Sequence, residues 1–378
     1  MAHTVPPYQV AIIGGGLAGL SLSITLARKG YRVTVLERET YPFHRVCGEY
    51  VSMESYPYLE RLGLSLADLP RIHTLSVSAP DGYTLTHPLD PGGFGISRFM
   101  LDALLAEKAR EAGVVLRTGT KVNAVAFDGR GFDIQTGKET IRSETAVGSF
   151  GKRSNLDVQL QRPFIRRKGN KLDNYIGVKY HIRLDLPAGR ISLHNFRDGY
   201  CGVSAIEDGR HCLCYLTTAA NLEKGGGSIP RMEETILCRN PHLRDIFSRA
   251  RFEWDKPQTI AQVSFAPKAS VEQHLLMAGD SAGLISPLCG NGMSMAFQAA
   301  QLAAKALTPF LEGRLSREDM EARYRLAWDV QFSSRLKTGR LVQSLFGKPW
   351  TTKLFLKVLR PFPILTREII RKTHGQAF

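Results

Sequence analysis

Apolar residues first form a short unbroken run, Val10-Ala-Ile-Ile13, then a mainly apolar stretch, and then a second short run, Val33-Thr-Val-Leu36. Short unbroken runs read as strands covered on both faces, and the stretch between them as the helix that joins them. Met53, Tyr56, Leu59 and Leu62 recur at helical spacing and predict a helix over about 54–63. The pattern then changes. From Ile72 to Gly95, short apolar runs are punctuated by Asp81-Gly82 and Pro91-Gly92-Gly93, which predicts hairpin structure. A helix from Arg98 to Ala112 follows, with strands to Val147. Residues 160–265 alternate again, as in Tyr175-Ile-Gly-Val-Lys-Tyr-His-Ile182 and Cys212-Leu-Cys-Tyr-Leu216. Gly225-Gly226-Gly227 reads as a loop before a helix at about 231–239.

The glycines between the first two strands carry the chemistry. Gly14 permits a tight turn after the strand, Gly16 lets the backbone approach a pyrophosphate, and Gly19 lets the helix pack closely on the sheet. Leu17 and Ala18 open that helix, so their N–H groups face the phosphates. Glu37 ends the second strand, next to Arg38, where a carboxylate can accept hydrogen bonds from both ribose hydroxyls. Strand, turn, helix, strand and acid stand in order, which predicts a dinucleotide site on a Rossmann-type domain.

Two further segments extend the pattern. His274-Leu-Leu-Met-Ala-Gly279-Asp280 leads into Pro287-Leu-Cys289-Gly290-Asn291-Gly292-Met293, again a strand, a Gly-rich turn and a helix start. Gly95-Ile-Ser97-Arg98-Phe-Met-Leu-Asp102-Ala-Leu-Leu105 reads as a helix start that Ser97 caps. Together these resemble the glutathione-reductase-type, group A flavoproteins over roughly residues 8–310. The resemblance implies FAD, with Gly279-Asp280 on the ribityl chain and Arg98 near the flavin. It also implies that the Pro287 to Met293 turn aims a helix start at the flavin ring, where it would stabilise negative charge. The expected fold is α/β, a Rossmann-type FAD-binding domain interleaved with an antiparallel β-sheet substrate domain, plus C-terminal helices. The FAD domain is expected in 1–71, 98–158 and 266–315, the substrate domain in 72–97 and 159–265, and a helical, basic-amphipathic region in 316–378.

Within that group, Tyr41-Pro-Phe-His-Arg45-Val-Cys47-Gly48-Glu49-Tyr50 is similar to the Lys/Arg-Val-Cys-Gly segment of geranylgeranyl reductase-like enzymes. That resemblance places Cys47 and Gly48 beside the flavin, with Cys47 either a proton donor or a small wall residue, and Arg45 is a further cofactor-binding candidate. Arg45 and Glu49 would be costly to bury singly, so an ion pair between them, or contact with the flavin, is expected. Tyr200 and Cys201 are pocket candidates in the substrate sheet, Tyr200 also as a catalytic group. His181 and His194 are acid–base candidates, with a structural role weighed more heavily for each. Residues Ala146 to Ser154 lack the Asp-Gly motif of aromatic hydroxylases, and Trp254, Trp328 and Trp350 stand too far apart for the halogenase motif. The favoured reaction is reduction of a carbon–carbon double bond in a hydrophobic, isoprenoid- or polyketide-like substrate. Monooxygenation, hydroxylation or epoxidation through a flavin–oxygen adduct, is the alternative, and a non-catalytic nucleotide-binding protein the remote one. No second complete Rossmann unit for NAD(P)H is present, and an external electron donor such as NAD(P)H or a reductase is expected.

Composition agrees. The chain of 378 residues is 43% hydrophobic, enough for two cores. Its cysteines show no Cys-x-x-Cys spacing, Cys212 and Cys214 suit a strand core better than zinc, and no metal is expected. Free thiols and a strand at the very start imply a cytoplasmic protein without a signal peptide. Lys and Arg exceed Asp and Glu by 50 to 35, a net charge of +15. Basic residues gather at Arg162, Arg166, Arg167 and Lys168, and again from Arg340 to Lys372, interleaved with Leu, Phe and Trp. Such a tail fits peripheral contact with the inner face of a membrane, an acidic carrier protein, or a helix pair packed on the FAD domain. No nucleic-acid-reading module accompanies the charge, so nucleic acid is not an expected partner.

Overall fold

The computed structural model describes residues 8–166, 175–285 and 290–378, omitting the side chains of 166, 262, 342 and 349. Pro287 and Cys289, and the basic pair Arg167-Lys168, lie outside the described residues.

The first apolar run becomes the strand Tyr8–Ile13, whose last four residues are buried, and the second becomes Val33–Leu36. They pair in parallel, Val10 with Val33 through Ile13 with Leu36, joined by the helix Leu17–Ala27. A parallel pair requires such a crossover and needs cover on both faces, which explains the unbroken Val/Ile/Leu runs. Strand Thr140–Gly148 pairs on the other side of Tyr8–Ile13, and Leu275–Met277 pairs beyond it. Val115–Arg117 closes the opposite edge. The long helices Arg98–Glu111 and Gly292–Leu311 pack with Leu17–Ala27 over this sheet. One apolar core runs through it from Val10 and Leu20 to Phe297 and Trp328.

The second sheet carries the alternating segments. Its described order runs Arg251–Phe252, Tyr175–Arg183, His211–Thr218, Gly199–Ala205, Arg190–Phe196, Arg71–Ser78, Thr84–Gly95 and Tyr50–Ser52, with Gln258–Val263 beside Tyr175–Arg183. It departs from the expected all-antiparallel sheet in one place. Arg190–Phe196 runs parallel to Arg71–Ser78, because the chain returns from the first sheet before laying down that strand. A second difference concerns Tyr50–Ser52, which pairs with Gly93–Gly95 and so belongs to the second sheet although it follows the nucleotide motif.

Two helices differ from the periodicity. Residues 54–63 divide into a 3-10 turn, Met53–Ser55, and a short helix, Tyr56–Arg61, with Pro57 inside the first turn where it needs no donor. The segment near 231–239 is a helix Ile229–Thr235 followed by a separate turn Leu237–Arg239. Beyond residue 316 come helices Arg317–Leu345, Pro349–Leu359 and Pro363–Thr373. Among the described residues no helix is long and apolar enough to cross a membrane.

Candidate functional site

One cavity of about 870 Å³ lies between the sheets, and its walls take residues from every motif above. At the nucleotide end the glycines are dictated by contact. A Cβ on Gly14, at φ +105°, would stand 2.4 Å from the Ser149 carbonyl oxygen, and one on Gly19 would stand 2.1 Å from that of Gly14. Gly19 therefore sits against the strand rather than on the cavity wall. Gly16 differs, because its nearest neighbour would be Arg98 Nη2 at 3.7 Å, so the backbone is open to a ligand. Gly16 begins the Leu17–Ala27 helix without a side-chain cap, and Leu17 and Ala18 line the cavity. Uncapped N–H groups there suit a pyrophosphate.

Glu37 is 4% exposed and accepts from the Gly15 N–H at 2.8 Å and the Glu39 N–H at 3.1 Å. Arg45 Nη2 donates to it at 3.0 Å, and Arg45 Nε donates at 3.1 Å to Asp102, which is fully buried. Arg98 grips the same Asp102 with two bonds of 2.7 and 2.8 Å. Ser97 caps the helix as expected, accepting from Met100 N–H at 3.1 Å. This chain of charges fixes Arg45 and Arg98 on the wall. Arg38, paired with Glu39 at 3.1 Å, borders the same end.

The expected Arg45–Glu49 pair does not form. Glu49 points the other way, with φ 56° and no solvent exposure, and its carboxylate is held by Lys179 Nζ, His181 Nε2 at 2.6 Å and the Arg98 N–H at 2.7 Å. Burial alone would raise its pKa, but Lys179 and His181 outweigh it and hold the carboxyl at about 2. Lys179, itself buried, also donates to the Arg45 carbonyl at 3.2 Å, and Cys212 donates to that of Cys47 at 3.3 Å. The second sheet thus grips the 45–49 segment from behind. Cys47 and Gly48 face the cavity, and a Cβ on Gly48 would meet nothing within 4 Å. His44 stacks on Phe99 and edges Trp254, and burial lowers its pKa to about 4. Glu49, His181 and Cys212 lie close enough to share an ion. The Lys179 ammonium on the same carboxylate opposes a cation there, so we read the cluster as a buried ion pair.

His181 therefore positions Glu49 and does not line the cavity. His194 lies elsewhere, with Ser78 Oγ at 2.9 Å, beside a second cavity of about 130 Å³. Cys201 is fully buried behind its strand, whereas Tyr200 lines the main cavity with Leu193, Leu216 and Leu284. These three leucines make that end apolar.

The second flavin-type motif closes the site. Gly279, at φ 62°, opens a single turn that puts Asp280 on the wall. Gly290, Gly292 and Met293 also line it, where the Gly292–Leu311 helix begins without a side-chain cap from Asn291. Asn291 is buried and spends its amide on the Thr373 carbonyl at 2.8 Å, so its side chain anchors the C-terminal helix instead. Lys268 donates to the Asp280 and Lys152 carbonyls at 3.0 Å each, and burial lowers its pKa to about 8. Sequence reasoning missed Lys268 and Lys179. For Lys179 a signal existed, a lone lysine in an otherwise apolar buried strand, which implies a buried partner. Open glycines, two uncapped helix starts and Glu37 on one wall fit FAD.

The chain matches the family described as FAD binding domain over residues 7–325 and belongs to it. It is an FAD-dependent oxidoreductase. Among curated relatives it is 27% identical to conditioned medium factor receptor 1 of Dictyostelium discoideum, covering 90% of this chain and 70% of that one. It is 24% identical to menaquinone reductase of Mycobacterium tuberculosis, covering 79% and 76%. With 6-methylpretetramide 4-monooxygenase of Streptomyces rimosus the identity is 25%, over 85% and 78%. The fold is shared with the flavin-dependent brominase Bmp2, TM-score 0.80 at 21% identity over 98% and 94% of the two chains. A geranylgeranyl bacteriochlorophyll reductase-like protein of Thermoplasma acidophilum gives TM-score 0.77 at 16% identity over 99% and 97%.

Proposed function

We propose that the protein reduces a carbon–carbon double bond in an apolar, isoprenoid- or polyketide-like molecule, with electrons from an external donor such as NAD(P)H. The observation that carries this reading is the place of Cys47. Its segment leaves the nucleotide strand and is held through the Arg45, Cys47 and Gly48 carbonyls by Lys179, Cys212 and Ser204 of the second sheet, and Cys47 lines the cavity together with nucleotide-motif and apolar residues. Beyond it the wall is built largely from Ile191, Leu193, Leu216, Val263 and Leu284. An apolar chain lying there removes its own surface and that of the wall from water.

FAD, when bound and reduced, supplies a two-electron donor. Gly14, Gly16, Leu17, Ala18, Glu37, Arg98, Gly279 and Asp280 would hold it, and Arg45, Gly48, Gly290, Gly292 and Met293 border its place. With the cofactor's hydride added to one carbon of the double bond, Cys47 Sγ would give its proton to the other, the thiolate regaining a proton from solvent after product leaves, and the enclosing walls exclude water from the transfer itself. Tyr200 shapes the apolar end.

The relative named as a monooxygenase favours a second reading, oxygenation of the same class of substrate. One experiment separates them. After anaerobic photoreduction, the protein is mixed with polyprenyl or polyene acceptors, and separately with oxygenated buffer, in stopped flow. Acceptor-dependent reoxidation that Cys47→Ala slows about 100-fold, with FAD content unchanged, supports the reductase. A transient species in oxygen followed by a hydroxylated product, or unchanged turnover in Cys47→Ala, overturns it.

A further inference from the structure

The helix Pro349–Leu359 has two apolar faces, and only one is used. On the inner face Thr352, Leu356 and Leu359 are buried, and Leu356 packs with Val77, Leu193, Tyr200, Leu216 and Leu284. Four of those partners line the main cavity, so this helix backs its apolar end. On the outer face Trp350, Leu354 and Val358 follow one another at intervals of four and remain 89%, 62% and 48% exposed. Phe362, Ile364 and Leu365 continue the surface into the next helix at 56%, 78% and 47%. Scattered exposed leucines need no explanation, but six large apolar residues within 16 positions form a patch that water disfavours.

Charge decides what covers it. From Arg340 to Lys372 the chain carries eight basic residues and one acidic, Glu368, which Arg371 already engages. Lys348, Lys357, Arg360, Arg367, Arg371 and Lys372 are all exposed beside the apolar stripe. A second copy of the chain laid on this face would oppose like charges. An acidic carrier protein would satisfy the cations and leave the indole of Trp350 without reason. An anionic bilayer surface satisfies both, because apolar side chains enter the acyl boundary while ammonium and guanidinium groups reach lipid phosphates.

We infer that the helices Pro349–Leu359 and Pro363–Thr373 dock this protein in the plane of an anionic lipid bilayer, behind the apolar end of the cavity. The inference stands on the surface alone and does not depend on which reaction the site performs. Its test is co-sedimentation of the full-length holoprotein with vesicles of phosphatidylcholine, with and without phosphatidylglycerol, across a salt series. Two variants accompany it, Trp350→Ser/Leu354→Ser/Ile364→Ser/Leu365→Ser and Lys357→Glu/Arg367→Glu/Lys372→Glu. All these residues are exposed or at the rim, so FAD content and melting temperature should match the parent and report that both variants are folded. The expected result is retention on anionic vesicles that falls with salt and weakens about tenfold or more in either variant. No retention at low salt, retention indifferent to the apolar substitutions, or a salt-stable dimer abolished by them would each overturn the inference, as would stronger retention on an immobilised acidic carrier protein than on vesicles.

Discussion

Glu49 is fully buried, yet its partners keep it ionised, so acid should act through it. Its folded pKa of about 2 lies below the unfolded 4.5. The stabilisation it contributes is thus complete above pH 4.5 and is lost as pH falls from there toward 2. Urea unfolding at pH 6 and pH 3 should show this drop in the parent, while Glu49→Gln, already weaker at pH 6 because Lys179 loses its counter-charge, should change less between the two. An acid limb of equal steepness in both would assign the effect to other carboxylates. Gly19 makes a different kind of demand, one of space. Gly19→Ala drives a methyl against the Gly14 carbonyl, which belongs to backbone and cannot rotate aside. That overpacking should cost about 1–3 kcal/mol and reduce bound FAD, read as flavin absorbance per protein after desalting.

Elements add what single residues cannot, namely direction. Two helices of 11 and 20 residues start at the same cavity without side-chain caps, each presenting its positive end. The helix Arg98–Glu111 is instead capped, and that cap sets where Arg98 leaves the wall. Ser97→Ala should therefore lower stability by about 1 kcal/mol and weaken FAD retention, whereas Ser97→Thr, which can still cap without adding a charge beside Glu49 and Glu207, should restore both. How far these elements were legible follows from their range. The Gly14 to Gly19 turn, Glu37 and the Ser97 cap were readable because each is a local pattern, the first two within one βαβ unit and the cap within three residues of the N–H it accepts. The Glu49–Lys179 pair was not, since 130 residues separate the partners and only folding the second sheet onto the first brings them together. A local cause defeats the Arg45–Glu49 ion pair. Four residues apart in the chain, they are turned to opposite sides by the left-handed backbone at Glu49, which no spacing rule announces.

At the scale of the molecule, the cavity has no wall of its own. Its nucleotide end belongs to the first sheet, its apolar end to the second, and the 45–49 segment crosses between them under the grip of Lys179. Ligand binding and sheet packing should therefore be linked. FAD at about 100 times its dissociation constant should stabilise the whole chain by about 2.7 kcal/mol, and the melt should remain a single transition. Lys179→Met removes one partner of a buried pair and leaves Glu49 uncompensated, a change that costs about 3–5 kcal/mol. Because the lysine belongs to one sheet and the segment it holds borders the other, the loss should appear in both. FAD affinity should fall although Lys179 does not line the cavity, and the FAD-dependent rise in melting temperature should shrink with it. The double variant Glu49→Gln/Lys179→Met, with no buried charge left unpaired, should recover most of the stability while the segment remains looser than in the parent. Calorimetry of the parent and the two variants, each with and without added FAD, separates these effects. Full FAD affinity in Lys179→Met would show that the 45–49 segment keeps its place without the lysine, through Asp102 and Glu37 on one side and Ser204 and Cys212 on the other.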